Sequence, residues 1–519
     1  MPPTPPTAAL HMIIWTHRRW RAAACPCFSR MAPLQRSVCW RLSLSFVFTA
    51  FMFFVDVFTA NLARCGALEG LREPNVTDST CMEAGEPFTY GQTMFMIGLL
   101  IGSLFGGALA DKYGKRVVHL GSNILQAVTA LMTAFLPSAA FYLAARWIAG
   151  LTCCGINITS FSLGVEWSLP KYRTWPPALL SFSFSVGMMF LAAVAFLTSG
   201  WMQFHLAMAV PQLLCLPFYY SIPESPQWLL LNRRLEVLEE YRNRCPEDKE
   251  SLDLILNSMG KEAQGSSRAE GKSEKHSFLL LFRSPTILLR LSVMSYIGLA
   301  SALTYYGICY NVGSFGVNIY LAQFFSGLSE VPTLLVPLLL KRCGRRPFSM
   351  VSLLLSGTAC LLSLLASKYY DIPALVMTLA LMGKLCMQTT VFVSLLYGIE
   401  LFPTVIRQKC VAFVNLWYRI GCILNAVLVP SGRIPLGAMI CYSSGPILGA
   451  GLCRLLPETS GTPLPDTILD CEMQPGPRLK CTTCNWKQSQ ESTQDKGISS
   501  GRGHSVIQEE CAAFSLEIP

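Results

Sequence analysis

Apolar runs of membrane length alternate with short polar blocks along most of this chain. Twelve such runs stand out, at about 42–62, 91–110, 117–136, 139–163, 177–198, 201–221, 286–308, 315–340, 348–367, 372–397, 410–430 and 434–455. Each is close to the roughly 20 residues that a helix needs to cross a bilayer core. The pattern predicts an all-α membrane protein with twelve transmembrane helices. Only Leu136-Pro137-Ser138 parts the third run from the fourth. Basic residues gather in the blocks after even-numbered runs: Lys112, Lys115 and Arg116; Lys171 and Arg173; Lys341, Arg342, Arg345 and Arg346; Arg407 and Lys409. The other blocks are nearly bare, with Lys368 and Arg433 isolated. Because Lys and Arg favour the cytoplasmic side, both termini are expected inside. The expected divisions are a cytoplasmic tail (1–37), six helices (38–221) with a short outer loop (63–90), a cytoplasmic linker (222–285), six more helices (286–456) and a disordered cytoplasmic tail (457–519).

Composition narrows the function classes. The 519 residues are 52% hydrophobic and 14% charged, with mean hydropathy +0.42, against about 25% charged in a soluble domain. An ordinary soluble enzyme is excluded, and so is disorder for most of the chain. The net charge of +10 resides in the loops and gives no reason to expect nucleic acid. Many of the 21 cysteines lie inside apolar runs, where a thiol behaves as a small hydrophobe. In the outer loop, Asn75-Val76-Thr77 is a glycosylation acceptor, and Cys65 and Cys81 are a candidate disulfide or two free thiols. Cys481-x-x-Cys484 has no second pair, and no metal or cofactor is expected. The start shows no small-residue cleavage site, so the first run is expected to act as an uncleaved anchor. Residues 1–55 contain no Asp or Glu but include Arg18, Arg19, Arg21, Arg30, Arg36 and Arg41. Positive-inside anchoring explains this, and mitochondrial targeting is the alternative.

Two loops repeat. Gly107-Ala-Leu-Ala-Asp111-Lys112-Tyr-Gly114-Lys115-Arg116 follows the second run, and Lys341-Arg342-Cys343-Gly344-Arg345-Arg346 follows the eighth. Duplication of six-span halves is a transporter signature. The first copy resembles the loop motif of the major facilitator superfamily. Further stretches resemble the organic anion/cation transporter family (solute carrier family 22). They are Glu166-Trp-Ser-Leu-Pro-Lys-Tyr-Arg, Pro223-Glu-Ser-Pro-Gln-Trp, Glu400-Leu-Phe-Pro-Thr-Val-Ile-Arg407 and Pro457-Glu-Thr-Ser-Gly. Tyr305 through Tyr320 looks most like the organic-anion branch. The resemblance implies the major facilitator fold of two six-helix bundles and alternating access for a small organic ion. Asp111 is then a gate group, the motif glycines allow tight turns and close helix approach, and Glu166, Glu400 and Arg407 are gate or scaffold charges. The outer loop is about a quarter of the usual family length.

An ionisable group at the bilayer centre costs at least about 2.5–3.5 kcal/mol, so each needs a partner or a wet cavity. The candidates are Asp56, Arg146, Lys384 and Arg419. Arg419 stands where the family tends to place Arg in anion carriers and Asp in cation carriers, and its guanidinium offers a fork for a carboxylate. Arg146 is expected to pair at a helix end or snorkel to the outer surface. Asp56 is placed near the outer third, within reach of water. Lys384 belongs either to the cavity or to the scaffold. Tyr305 and Tyr306 offer aromatic faces to a planar ion. Family anion carriers often have Lys four residues after the acidic position of run eight. Here those residues are Glu330 and Leu334, which disfavours a dianion. No nucleotide-binding glycine loop, HExxH or nucleophile motif is present, so no enzyme is expected. The resulting expectation is a multi-pass carrier of monovalent organic anions, with a counter-anion or co-transported ion as a second partner, at the plasma membrane. The alternatives are an organic cation or zwitterion carrier and a transport-silent, receptor-like relative.

Overall fold

The computed structural model describes residues 33–59, 90–136, 138–168, 175–232, 234–244, 253, 284–311, 316–370, 372–403, 406–428, 436–460, 465 and 471. Residues 1–477 form one unit, and the second, 478–519, lies outside the described residues.

The first half holds α1 (Pro33–Phe54, whose helical stretch runs on past a turn at Val55 to Thr59 and is counted with it), α2 (Gly91–Tyr113), α3 (Lys115–Phe135), α4 (Ala139–Glu166), α5 (Trp175–Leu197) and α6 (Trp201–Tyr220). Two short helices follow, α7 (Pro226–Leu231) and α8 (Leu235–Arg244). The second half holds α9 (Pro285–Tyr310), α10 (Ile319–Leu328), α11 (Val336–Cys343), α12 (Arg345–Tyr369), α13 (Pro373–Leu401), α14 (Arg407–Leu428) and α15 (Leu436–Cys453). Among the described residues, 10 helical stretches are long and apolar enough to cross a membrane. The remaining two expected spans are α6, which carries His205, Gln212 and the internal prolines Pro211 and Pro217, and the shorter apolar Gly437–Cys453.

The eighth expected span differs from a continuous helix over 315–340. It breaks after α10 into a 3₁₀ turn, Val331–Leu335, before α11 resumes. Pro332 and Pro337 lack an N–H and crowd the preceding carbonyls, so a regular α-helical ladder cannot run through. Glu330 sits at this break, 1% exposed.

The same sequence device turns the chain after α2 and after α11. Gly114 and Gly344 adopt φ of 99° and 76°, where a side chain is strained. A Cβ on Gly114 would also lie 2.5 Å from the Glu224 carboxylate, and one on Gly344 would lie 3.1 Å from that of Glu458. Gly107 departs from expectation: a Cβ there would meet nothing within 4 Å among the described residues, so no close approach is seen at it.

The halves meet along α1 and α9, where Phe53 stacks on Tyr306 at 6.4 Å, and along α5 and α10. There a Cβ on Gly327 would strike the Ser185 carbonyl at 2.9 Å. At the end remote from the basic loops, Phe58 of α1 stacks on Tyr320 of α10 at 5.5 Å, and Phe196 of α5 meets the same ring edge-on.

Candidate functional site

At the basic-loop end each half builds the same lock from the same residue types. In the first, Lys115 pairs with Glu166, which also accepts from Ser162 and Ser225. Glu224 accepts the backbone N–H of Arg116 at 3.0 Å and of Ser225 at 2.9 Å, while the Arg116 guanidinium donates to the Tyr220 carbonyl. In the second, Arg345 pairs with Glu400 at 3.0 Å, and Thr459 donates to the same carboxylate. Glu458 accepts the N–H groups of Arg345 and Arg346, and the Arg346 guanidinium donates to the Arg454 carbonyl. Glu224 and Glu458 thus receive free N–H groups at the starts of α3 and α12, where negative charge is favoured. Arg407 donates to the Phe402 carbonyl at 3.1 Å. Lys112 is exposed with its ammonium 5.2 Å from the Tyr113 ring. The Asp111 carboxylate is exposed and has no partner among the described residues; the Asp111 carbonyl accepts from Trp228.

Deeper in the first half, Arg146 is 3% exposed and pairs with Asp56 at 2.5 Å. It also donates to the Met52 carbonyl and lies 4.3 Å from the centre of the Phe95 ring. Tyr142 donates to the other oxygen of Asp56. Arg146 therefore does not snorkel, and Asp56 is not merely dipped in water. α1 and α4 cross with these two charges at one level, and a short buried pair costs less than a lone charge. Beside them is a small cavity lined by Thr129, Thr133, Arg146 and His205. The Nε of Arg146 and the Nε2 of His205 are both buried without a hydrogen-bond partner among the described residues.

In the second half, Lys384 is completely buried and pairs with Glu330 at 2.9 Å. Its ammonium also donates to the carbonyl and hydroxyl of Ser326, at 2.9 and 2.6 Å. The Tyr305 hydroxyl donates to Glu330 at 2.6 Å, and Ser185 donates from the other half at 3.2 Å.

Arg419 differs from both. It is partly exposed, and no carboxylate or hydrogen-bond partner for it is found among the described residues. Its neighbours are Tyr306, Tyr418, Cys422 and, across the interface, Cys154. Tyr306 itself packs between Phe53 and Tyr310, in near-parallel stacks. The arrangement can receive an anion beside aromatic faces.

Comparisons with known proteins identify the family. Residues 42–444 match the family described as sugar (and other) transporter. Solute carrier family 22 member 13 of Homo sapiens is 32% identical over 420 residues, 80% of this chain and 74% of that protein. The chain belongs to solute carrier family 22 of the major facilitator superfamily. Member 6 of that family from Pseudopleuronectes americanus is 34% identical over 395 residues, 74% of this chain and 68% of that one. Organic anion transporter 3 of Oryctolagus cuniculus is 32% identical over 389 residues, 73% of this chain and 71% of its own length. Among solved structures, the xylose transporter of E. coli in its inward-open conformation is similar with TM-score 0.62 and 17% identity. That match covers 83% of this chain and 98% of the other, and it supports the fold. This family 22 protein is therefore a multi-pass membrane transporter and not an enzyme.

The transporter's sequence-predicted residues separate into three groups. Gly114, Lys115, Arg116, Glu166, Gly344, Arg345, Arg346 and Glu400 converge on the two locks. Arg419 and Tyr306 share the interface, while Lys384 and Tyr305 converge instead on Glu330. Asn75, Cys65 and Cys81 lie outside the described residues. The pairing of Glu330 with Lys384 escapes a reading of single positions. A signal did exist: Glu330 is the one charged residue of its run, and Lys384 the one of its own.

Proposed function

We propose that this family 22 transporter carries small monovalent organic anions, such as aromatic carboxylates or urate-like and vitamin-like heterocycles, by alternating access. One observation carries the reading. Of the three mid-span cations, Arg146 has Asp56 and Lys384 has Glu330, whereas Arg419 has no such carboxylate among the described residues. The substrate supplies the missing anion. Tyr306 and Tyr418 flank its apolar body, and a guanidinium binds a carboxylate through two parallel hydrogen bonds. The name of one relative, organic anion transporter 3, favours the same class. The two locks, with Asp111, act as the cytoplasmic gate in a protein whose termini both face the cytoplasm. The plasma membrane is the proposed location, with Asn75 glycosylated. A glycan removable by endoglycosidase supports that location, and organelle fractionation without one supports the mitochondrial inner membrane.

The test is uptake by purified protein in liposomes, with benzoate, urate and tetraethylammonium offered in parallel to the wild type and Arg419→Ala. Anion uptake that Arg419→Ala abolishes supports the reading. Tetraethylammonium uptake without anion uptake overturns it in favour of a cation or zwitterion carrier. Binding without uptake of any of them assigns a receptor-like role.

A further inference from the structure

We propose that Lys384, Tyr305 and Ser185 form a second anion site which Glu330 fills with its own carboxylate, and that this tethered carboxylate restricts the transporter to substrates of single negative charge. The inference rests on the anion-carrier reading above and assigns its charge selectivity to a residue outside the Arg419 neighbourhood.

Three donors on three helices converge on one carboxylate. The Lys384 ammonium of α13 and the Tyr305 hydroxyl of α9 reach one oxygen, at 2.9 and 2.6 Å, and the Ser185 hydroxyl of α5 reaches the other at 3.2 Å. An ammonium, a phenol and an alcohol form the donor set of a carboxylate-binding site. The pair is buried: Lys384 is 0% and Glu330 1% exposed. Gln323 shares the buried face of α10 with Ser326, and both its amide atoms are buried without a partner among the described residues. It adds unused hydrogen-bonding capacity about two turns from Glu330.

The filled site adjoins Arg419, the cation without a carboxylate among the described residues. The Lys384 ammonium lies 5.6 Å from the centre of the Tyr305 ring. That ring meets Tyr306 edge-on at 5.0 Å, and Tyr306 is a neighbour of Arg419. Two tyrosines thus stand between the cations. With Glu330 in place the nearer cation is cancelled, and a dianion bound at Arg419 brings a second charge that nothing compensates in a low-dielectric site. With the Glu330 charge removed, the same span offers two cations flanking aromatic rings, a frame for a rigid dicarboxylate. The break in the eighth span is what delivers Glu330 into this pocket, because it falls between α10 and the 3₁₀ turn.

The experiment compares uptake of benzoate and terephthalate in liposomes by the wild type, Glu330→Gln, and Glu330→Gln combined with Lys384→Met. Glutamine keeps the shape and an acceptor for Tyr305 while freeing the ammonium. The terephthalate-to-benzoate uptake ratio is expected to rise at least about tenfold in Glu330→Gln, the scale of one charge-assisted contact. It should return to the wild-type value in the double variant. An unchanged ratio in folded Glu330→Gln overturns the proposal while wild-type benzoate uptake upholds the anion reading. Absence of uptake of either anion by the wild type defeats the anion reading and this proposal with it. Where Glu330→Gln does not fold, Glu330→Asp withdraws the carboxylate from Lys384. A ratio rising by about threefold supports the proposal, being the share of a weakened contact, and an unchanged ratio overturns it.

Discussion

Asp56 of α1 and Arg146 of α4 meet at 2.5 Å inside the first half, with the Tyr142 hydroxyl on the second carboxylate oxygen. Removing one member leaves the other charged and buried. Asp56→Asn or Arg146→Met is expected to destabilise the protein by about 3–5 kcal/mol, the usual cost of breaking such a pair. The double variant Asp56→Asn/Arg146→Met is expected to lose less than the sum of the two. Thermal unfolding in detergent, followed by fluorescence-detected gel filtration, measures all three. Strict additivity would show that the pair has no coupling.

The two locks differ in burial. The Lys115 and Glu166 side chains are 13% and 11% exposed, those of Arg345 and Glu400 25% and 23%. Solvent screens the second pair more. Glu166→Gln is therefore expected to cost more stability than Glu400→Gln, by about 1 kcal/mol or more. Glu166 also accepts from two serines against one threonine at Glu400. Equal melting temperatures for the two variants contradict the argument.

These pairs show how far the chain speaks for itself. The repeat of Gly114-Lys115-Arg116 and Gly344-Arg345-Arg346 is visible as text, and Glu166 and Glu400 stand out at the inner ends of their runs, but that Glu224 and Glu458 accept the loop N–H groups follows only from the fold. Partners inside the membrane are harder to read. Arg146 lies near the start of α4, which suggests a surface position. Its depth follows only when α1 carries Asp56 to the same level. Lys384 and Glu330 belong to different runs, and nothing local in either run predicts that a proline-induced break turns Glu330 inward. Gly107 shows the reverse error, since the motif places a glycine where the packing leaves open space.

Asp111 presents a carboxylate with no partner among the described residues. If Asp111 is the gate charge proposed above, it finds its partner in the other conformation of the transport cycle. Asp111→Asn is accordingly expected to leave thermal stability within about 0.5 kcal/mol, as for an exposed position. It should lower maximal transport through the conformational balance, with a smaller change in apparent affinity. Initial uptake rates across substrate concentrations, normalised to surface-labelled protein, separate the two. Unchanged maximal transport in correctly inserted protein removes Asp111 from the gate.

Arg419 gives the sharpest test of how the charge is used. Its guanidinium sits beside Tyr306 and Tyr418 with no carboxylate of its own among the described residues. Lysine keeps the positive charge but gives up the planar fork that binds a carboxylate twice. Arg419→Lys is therefore expected to weaken apparent affinity for an aromatic monocarboxylate by about tenfold, equivalent to one lost charge-assisted hydrogen bond. Arg419→Gln loses the charge as well and is expected to fall further, and Arg419→Asp to abolish uptake by repulsion. The order of these variants separates two models. If only the sign of the charge matters, lysine matches arginine. If the fork matters, lysine falls between arginine and glutamine. The paired states of Arg146 and Lys384 make this reading possible, because neither is free to take over the anion when Arg419 is replaced. Concentration-dependent uptake by the four proteins, each first checked for insertion and folding, distinguishes the models.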